Sequence, residues 1–394
     1  MKATKWKSYS LALMAGMSVL TACSSDDNND NGGNGNNGNG NEIENGTTLK
    51  GTITSDVTLT AGSTYKLSGE YIVEDGATLN IEAGVKIISI YDDIVDYILV
   101  KQGGKINAVG TSSAPIVMTS EKEEPGAWGG IHICGKAHTN AEGGKGSSEI
   151  GGATYGGNDD ADNSGTLKYV RVEYSGYAFD SEHEANGITF YGVGNGTTVE
   201  YCQAYKGSDD GFEFFGGSVN VSNLVSVSCS DDSFDWTEGW NGTATNLVAY
   251  QEAEETLGYD CDCLIEADNN ENNYAATPVA HPVLKNLILV GNNSAAGNRG
   301  IRLRRGTQVE IDGAKVCGKK NAVTLESEET ENALLAGTSK LANMTVDSEL
   351  RSEKNIYTND NFVSAGNTID TSLKYTSFDD IKAECEWMAG NWVK

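Results

Sequence analysis

Apolar and polar positions alternate in short runs along most of the chain. In Asn186-Gly187-Ile188-Thr189-Phe190, an extended backbone puts Ile188 and Phe190 on one side and Thr189 on the other. The pattern returns 24 residues later as Asp210-Gly211-Phe212-Glu213-Phe214, and 22 residues after that as Asp232-Ser233-Phe234-Asp235-Trp236. A second motif, Asn223-Leu224-Val225, recurs as Asn246-Leu247-Val248 and again as Asn286-Leu287-Ile288. A period of 22–25 residues with strand-like alternation predicts one coil of a β-solenoid per repeat. Leucine-rich repeats share that period but need a helix in every turn, and no amphipathic helical stretch recurs here.

The expected architecture is therefore all-β: a single right-handed parallel β-helix over residues 47–376. Ile188, Phe212 and Phe234 should form one inward column, and Phe190, Phe214 and Trp236 another. Thr189, Glu213 and Asp235 should point outward between them. Upstream coils are expected around Val57-Thr58-Leu59, Tyr71-Ile72-Val73, Ala77 to Ile81, Tyr97 to Val100 and Ile116-Val117-Met118. Excursions interrupt the stack near 136–164, 252–282 and 326–340. Residues 377–394 read as a short C-terminal cap with an amphipathic helix and Trp387 and Trp392, closing the open end of the solenoid.

The N-terminus reads as an address. Lys2, Lys5 and Lys7 precede an apolar run from Leu11 to Leu20 that is too short to span a membrane. Leu20-Thr21-Ala22-Cys23 looks like a bacterial lipobox, which implies removal of residues 1–22 and acylation of Cys23. Residues 23–46 are polar and rich in Asn and Gly, as in a disordered tether. Ser24-Ser25-Asp26-Asp27 resembles the export signal that sends Bacteroidetes lipoproteins to the outer cell surface. The expected location is the outer membrane, facing outward and held by lipid through Cys23.

Charge narrows the partners. The net charge is −28, from 28 basic and 56 acidic residues, so a nucleic-acid partner is excluded for want of a basic face. Residues 201–275 hold fifteen acidic residues and one basic residue, Lys206. Within them Asp209-Asp210-x-x-Glu213 and Asp231-Asp232-x-x-Asp235 repeat at the coil period. Coils lie about 4.8 Å apart, so the repeat stacks carboxylate on carboxylate. Like charges at that distance cost on the order of 1 kcal/mol in water and several times more near a protein surface. Either a proton is taken up or a hard cation sits among the oxygens. Acidic turns that bond their own backbone are the structural alternative. Glu254-Glu255 reads as a continuation of the column.

Three stretches carry a family resemblance: Ala127-Trp128-Gly129-Gly130-Ile131 with the residues to Ala137, Gly165 to Gly176, and Asn186 to Gly194. With Asp209 to Gly217 they resemble a family of Bacteroidetes β-helix lipoproteins, over roughly 47–394. The resemblance implies a right-handed parallel β-helix of the pectate-lyase-like kind and no particular activity. The D-D-x-x-D/E turns resemble the calcium motif of family 9 polysaccharide lyases. That implies a calcium site built from Asp209, Asp210, Glu213, Asp231, Asp232 and Asp235, with Glu213 where the motif has Asp.

Two functions from different classes are compatible with these residues. One is a surface module that binds or supports glycan or another surface component. The other is a calcium-dependent polysaccharide lyase, which needs a Lys or Arg beside the metal to take the C5 proton. Lys206 is the nearby candidate. Arg302 and Arg304 alternate outward and would bind an anionic glycan or pair with the acidic coils; Trp240, in a turn, is the candidate for sugar stacking. Polygalacturonase-type hydrolysis is disfavoured because no G-H-G occurs. Seven cysteines follow Cys23, with no C-x-x-C spacing. They read as core or turn residues, with room for one or two disulfides.

Overall fold

The computed structural model describes residues 41–179, 183–294 and 297–394. The expected leader, Cys23 and the expected tether up to residue 40 lie outside the described residues. The chain winds as a parallel β-helix with three strand tracks per coil. All strand pairs between coils are parallel, except a small antiparallel hairpin of Gly146–Ser147 with Thr154–Tyr155.

One coil shows the plan. Ile188–Tyr191 lies on the first face. Thr198–Tyr205 follows, bends at Tyr201, and supplies the second face with 198–200 and the third with 202–205. Phe212–Phe215 then returns to the first face above Ile188–Tyr191, pairing Ile188 with Phe212 and Phe190 with Phe214. The inward columns are as expected. Phe190 stacks on Phe214 at 5.0 Å and Phe212 on Phe234 at 5.5 Å, and both columns are buried.

From Tyr169 onward, the bend between second and third faces is made by a left-handed residue in each coil. Tyr169, Tyr201, Asn223, Asn246, Asn286, Gly313 and Asn343 take it, with φ between 53° and 82°. Asn tolerates this region better than other L residues. This explains the recurring Asn-Leu-Val motif: Asn makes the corner and the apolar pair starts the third face. The Asn amides also stack, Asn286 Nδ2 donating to Asn246 Oδ1 at 3.3 Å.

Three expectations are corrected. The tether does not run to residue 46: Asn41–Ile43 already pairs with Val57–Leu59, and Ile43 O accepts the Tyr65 hydroxyl at 3.0 Å. The excursion at 252–282 contains a coil strand, Ile265–Ala267, which pairs with Phe234–Thr237 below and Arg299–Leu303 above. Residues 377–394 do not close the end of the stack. Phe362, on the helix Asn359–Ser364, is buried there, and Asn367 ties that segment to Leu341. The C-terminal segment instead runs back along the third face as a strap. Ile381, Met388 and Trp392 are buried against Val225, Val227, Val248, Ile288 and Val290. Its end reaches the early coils, where Asn391 N donates to Ser112 O and Arg171 holds the Asn391 carbonyl.

Candidate functional site

The register places the chemistry on the outer side of the first face. Reading up the stack, the outward position carries Leu99, His132, Thr189, Glu213, Asp235, Glu266, Arg302 and Thr324. The character of this column changes along the axis. His132 and Thr189 are fully covered, because the excursion at 136–164 folds back over them. Burial pushes the His132 imidazole down to about 4. Three acidic rungs follow, and then arginines.

The acidic corner draws together all six carboxylates expected from the sequence. Oxygens of Asp209, Asp210 and Asp231 lie within 4.8 Å of one another, as do those of Asp210, Glu213 and Asp235. Asp232, Asp235 and Glu266 form a third such group. Asp209, Asp210 and Asp232 are buried, while Asp231 stands at the exposed rim. Glu213 accepts Asn186 Nδ2 at 2.5 Å. Asp235 Oδ1 is shut off from solvent and has no hydrogen-bond partner among the described residues.

Burial, followed by the mutual repulsion of the carboxylates, holds Asp209, Asp210, Glu213, Asp232 and Asp235 well above the usual carboxylate range. Asp231 is lifted to about 6 by partial desolvation and by Asp262 and Glu266. Glu149, from the excursion, is lifted to about 7, chiefly by burial.

The backbone alternative accounts for one oxygen of each second Asp. Asp210 Oδ1 accepts the Asp232 amide at 2.9 Å, and Asp232 Oδ1 accepts the Cys263 amide at 2.6 Å. Gly211 follows because there is no room for a side chain: a Cβ there would lie 2.7 Å from Ser233 O. The bonds fix the corner but bring no cation to it.

Glu266 was not anticipated. It lies 31 residues after Asp235 instead of 22, because an insertion before Cys261 lengthens that coil. Glu254 and Glu255 sit on that insertion, in the short helix Glu254–Leu257, and do not continue the column. The available signal was Cys263-x-x-Glu266, which repeats the spacing of Asp232-x-x-Asp235.

Arginines pair with the acidic residues at the far end. Arg302 bonds Glu266 at 2.5 Å and Glu326 at 3.0 Å. Arg304 bonds Glu266 and also Asp268, the latter at 2.7 Å, and Arg305 bonds Asp268 at 2.9 Å. Burial pushes Arg304 down, but Glu266 and Asp268 together hold it above its ordinary value. Of the two expected roles for Arg302 and Arg304, the structure places them in pairing with acidic coils. Lys206 does not face the site: it bonds Glu252 at 2.7 Å.

Trp240 is not a stacking platform. It is buried, packs on Phe214 at 4.2 Å, and donates Nε1–H to Val219 O. Its turn folds inward. The exposed aromatics near the corner are Tyr177 and Phe179, edge to face at 5.2 Å. They are held close by Gly176, whose carbonyl accepts the Ser208 hydroxyl next to Asp209. Sequence reading missed them because their loop has no repeat partner. The seven cysteines from Cys134 to Cys385 are buried free thiols.

No curated protein sequence matches the chain. Among solved structures, the Dettilon tailspike protein (gp208) aligns with 11% identity and a TM-score of 0.31, over 74% of this chain and 57% of that one. The chain thus spans little more than half the length of that relative. A family model described as a pectate-lyase like beta helix domain matches residues 51–394, which takes in nearly every coil. The chain belongs to the pectate-lyase-like beta helix domain family.

Proposed function

We propose that the protein is a glycan-binding β-helix in which the acidic corner holds a calcium ion. The observation that carries this reading is the group of buried carboxylates around Asp210 and Asp235, one of whose oxygens has no hydrogen-bond partner among the described residues. An all-oxygen, irregular ligand set at a rim suits calcium, which takes six to eight oxygens, better than a metal demanding strict geometry. Asp209, Asp210, Glu213, Asp231, Asp232 and Asp235 are the ligands, with Glu266 at the margin. In a chain of net charge −28, such a cation would offer an anionic polysaccharide a favourable point of contact. Tyr177 and Phe179 offer apolar faces for sugar rings beside it.

Calcium-dependent lyase activity is the second reading, supported by the family's name. A lyase needs a proton acceptor beside the metal. Arg302, Arg304 and Lys206 are all committed to carboxylates, and this favours binding over elimination. We also propose that Cys23 carries the lipid and displays the module on the cell surface, on the lipobox and acidic pair alone.

Polygalacturonate and alginate separate these readings. Retention of either polymer with calcium, lost with chelator and without unsaturated product absorbing near 235 nm, supports a binding module. Product formation supports a lyase. No calcium-dependent retention of either removes the glycan reading of this corner.

A further inference from the structure

A second groove lies on the other side of the molecule, between the C-terminal strap and the corner where second and third faces meet. Its volume is about 350 Å3, the size of a small-ligand site. Asn286, Gly313, Asn343, Lys315 and Thr345 line it from the coils, and half-buried Trp387 lines it from the strap. A larger trough of about 730 Å3, along Asp56, Asn80 and Asn107, has no aromatic residue in its lining.

The groove exists because the asparagine ladder lacks a rung. Asn246 and Asn286 stack on adjacent coils, and the next corner residue is Gly313 in place of Asn. The ladder resumes one coil further on at Asn343, which bonds Asp312 at 2.7 Å. The notch therefore spans two coil steps, roughly 9–10 Å. Asn286 Oδ1 faces it with no donor among the described residues, and a Cβ added at Gly313 would lie 3.5 Å from that oxygen. An amide above, an amide below and an indole at the side are the groups that recognise a neutral pyranose. The amides match ring hydroxyls, and the aromatic face takes the C–H side. The neighbouring Lys315–Glu384 pair at 2.5 Å closes its own charges on each other, so the groups lining the notch carry no net charge.

We infer that this notch is a subsite for one pyranose unit of a neutral glycan, independent of the acidic corner. It goes beyond the cation-dependent reading and does not require it.

The test uses cellohexaose, xylohexaose, mannohexaose and maltohexaose as probes, with calorimetry and tryptophan fluorescence as readouts. Gly313→Asn restores the missing rung, and the corner accepts Asn, as at positions 223, 246, 286 and 343. Saturable binding of at least one probe is expected, weakened about tenfold or more in Gly313→Asn with the melting temperature kept. Trp387→Ala should weaken the same probe and remove its fluorescence change. Binding should survive in chelator and in the double variant Asp210→Asn, Asp232→Asn. If none of the four binds, or if binding is untouched by Gly313→Asn, the inference is overturned. Loss on chelation with Gly313→Asn still binding would overturn it too, by placing the sugar at the acidic corner.

Discussion

Asp210 and Asp232 occupy the same corner in successive coils, and the carboxylate of the first accepts the backbone amide of the second at 2.9 Å. Each carboxylate thus has a structural duty and a charge that the duty does not relieve. Replacing both by Asn keeps an acceptor oxygen for the amide and removes two negative charges. The apo protein should therefore be as stable as wild type or more so. If calcium binds only the folded state, it should stabilise wild type by roughly 2.7 kcal/mol at a hundredfold excess over Kd. Thermal melts with calcium and with chelator should differ for wild type and coincide for the double variant. Coincident wild-type melts would reduce the corner to a turn ladder.

The corner also sets a pH dependence in the absence of metal. Its carboxyls are raised in the fold, so the native state holds protons that the unfolded chain gives up near pH 4. Their contribution is complete below that pH and is lost as pH rises through the folded values, about 6 at Asp231 and about 7 at Glu149. Chelated wild type should lose stability as pH rises from about 4 through about 7, and the Asp210→Asn, Asp232→Asn variant should lose less. A calcium ion at the proposed site would compete with those protons, so its stabilising effect should grow over the same interval. Urea midpoints at fixed ionic strength measure both. A chelated midpoint that climbs with pH in wild type and variant alike would contradict the assignment.

Arg304 is the hinge between the acidic and basic ends of the column. It bonds Glu266 and Asp268, both largely withdrawn from water. Arg304→Met preserves length and leaves two buried charges short of a partner, a loss of about 3 kcal/mol. Glu266 would then join the uncompensated corner, and the response to calcium should increase. A denaturant midpoint unchanged from wild type would show that Arg302 and Arg305 suffice.

The repeat was legible wherever one coil follows the next without insertion. Phe212 and Phe234 are 22 residues apart, and their pairing could be read directly from the sequence. Legibility failed where spacing broke. Glu266 lies beyond an insertion, so the 22–25-residue period points to Glu254 and Glu255 in its place. It failed again where alternation does not decide direction. Trp240 sits in a turn, and only the stacking against Phe214 shows that the turn closes inward. The strap misled for a related reason: Trp387 and Trp392 mark an amphipathic end segment but not which apolar surface it covers.

Metabolic labelling addresses the anchor. Cells given a palmitate analogue should label wild type and not Cys23→Ala, and external protease should remove the protein from intact cells. Labelling without protease access would keep the lipid and withdraw surface display.

The strap predicts separable unfolding. Trp392 packs against Tyr169 at 5.9 Å and Tyr201 at 5.7 Å, and Arg171 bonds the carbonyls of Asn391 and Trp392. Few backbone bonds join the strap to the coils, whereas the coils beneath are joined along every strand. The strap is therefore the weaker unit. Trp392→Ala removes a fully buried ring, with a cost of about 3–5 kcal/mol if the site stays closed. That loss should appear as release of the segment and not as collapse of the stack. Limited proteolysis should cut the variant within residues 370–394 while far-ultraviolet circular dichroism and the main thermal transition stay near wild type. The uncovered strip of Val225, Val248 and Ile288 should then bind a hydrophobic dye. If the main transition instead falls with the ring, the strap and the coils are one cooperative unit.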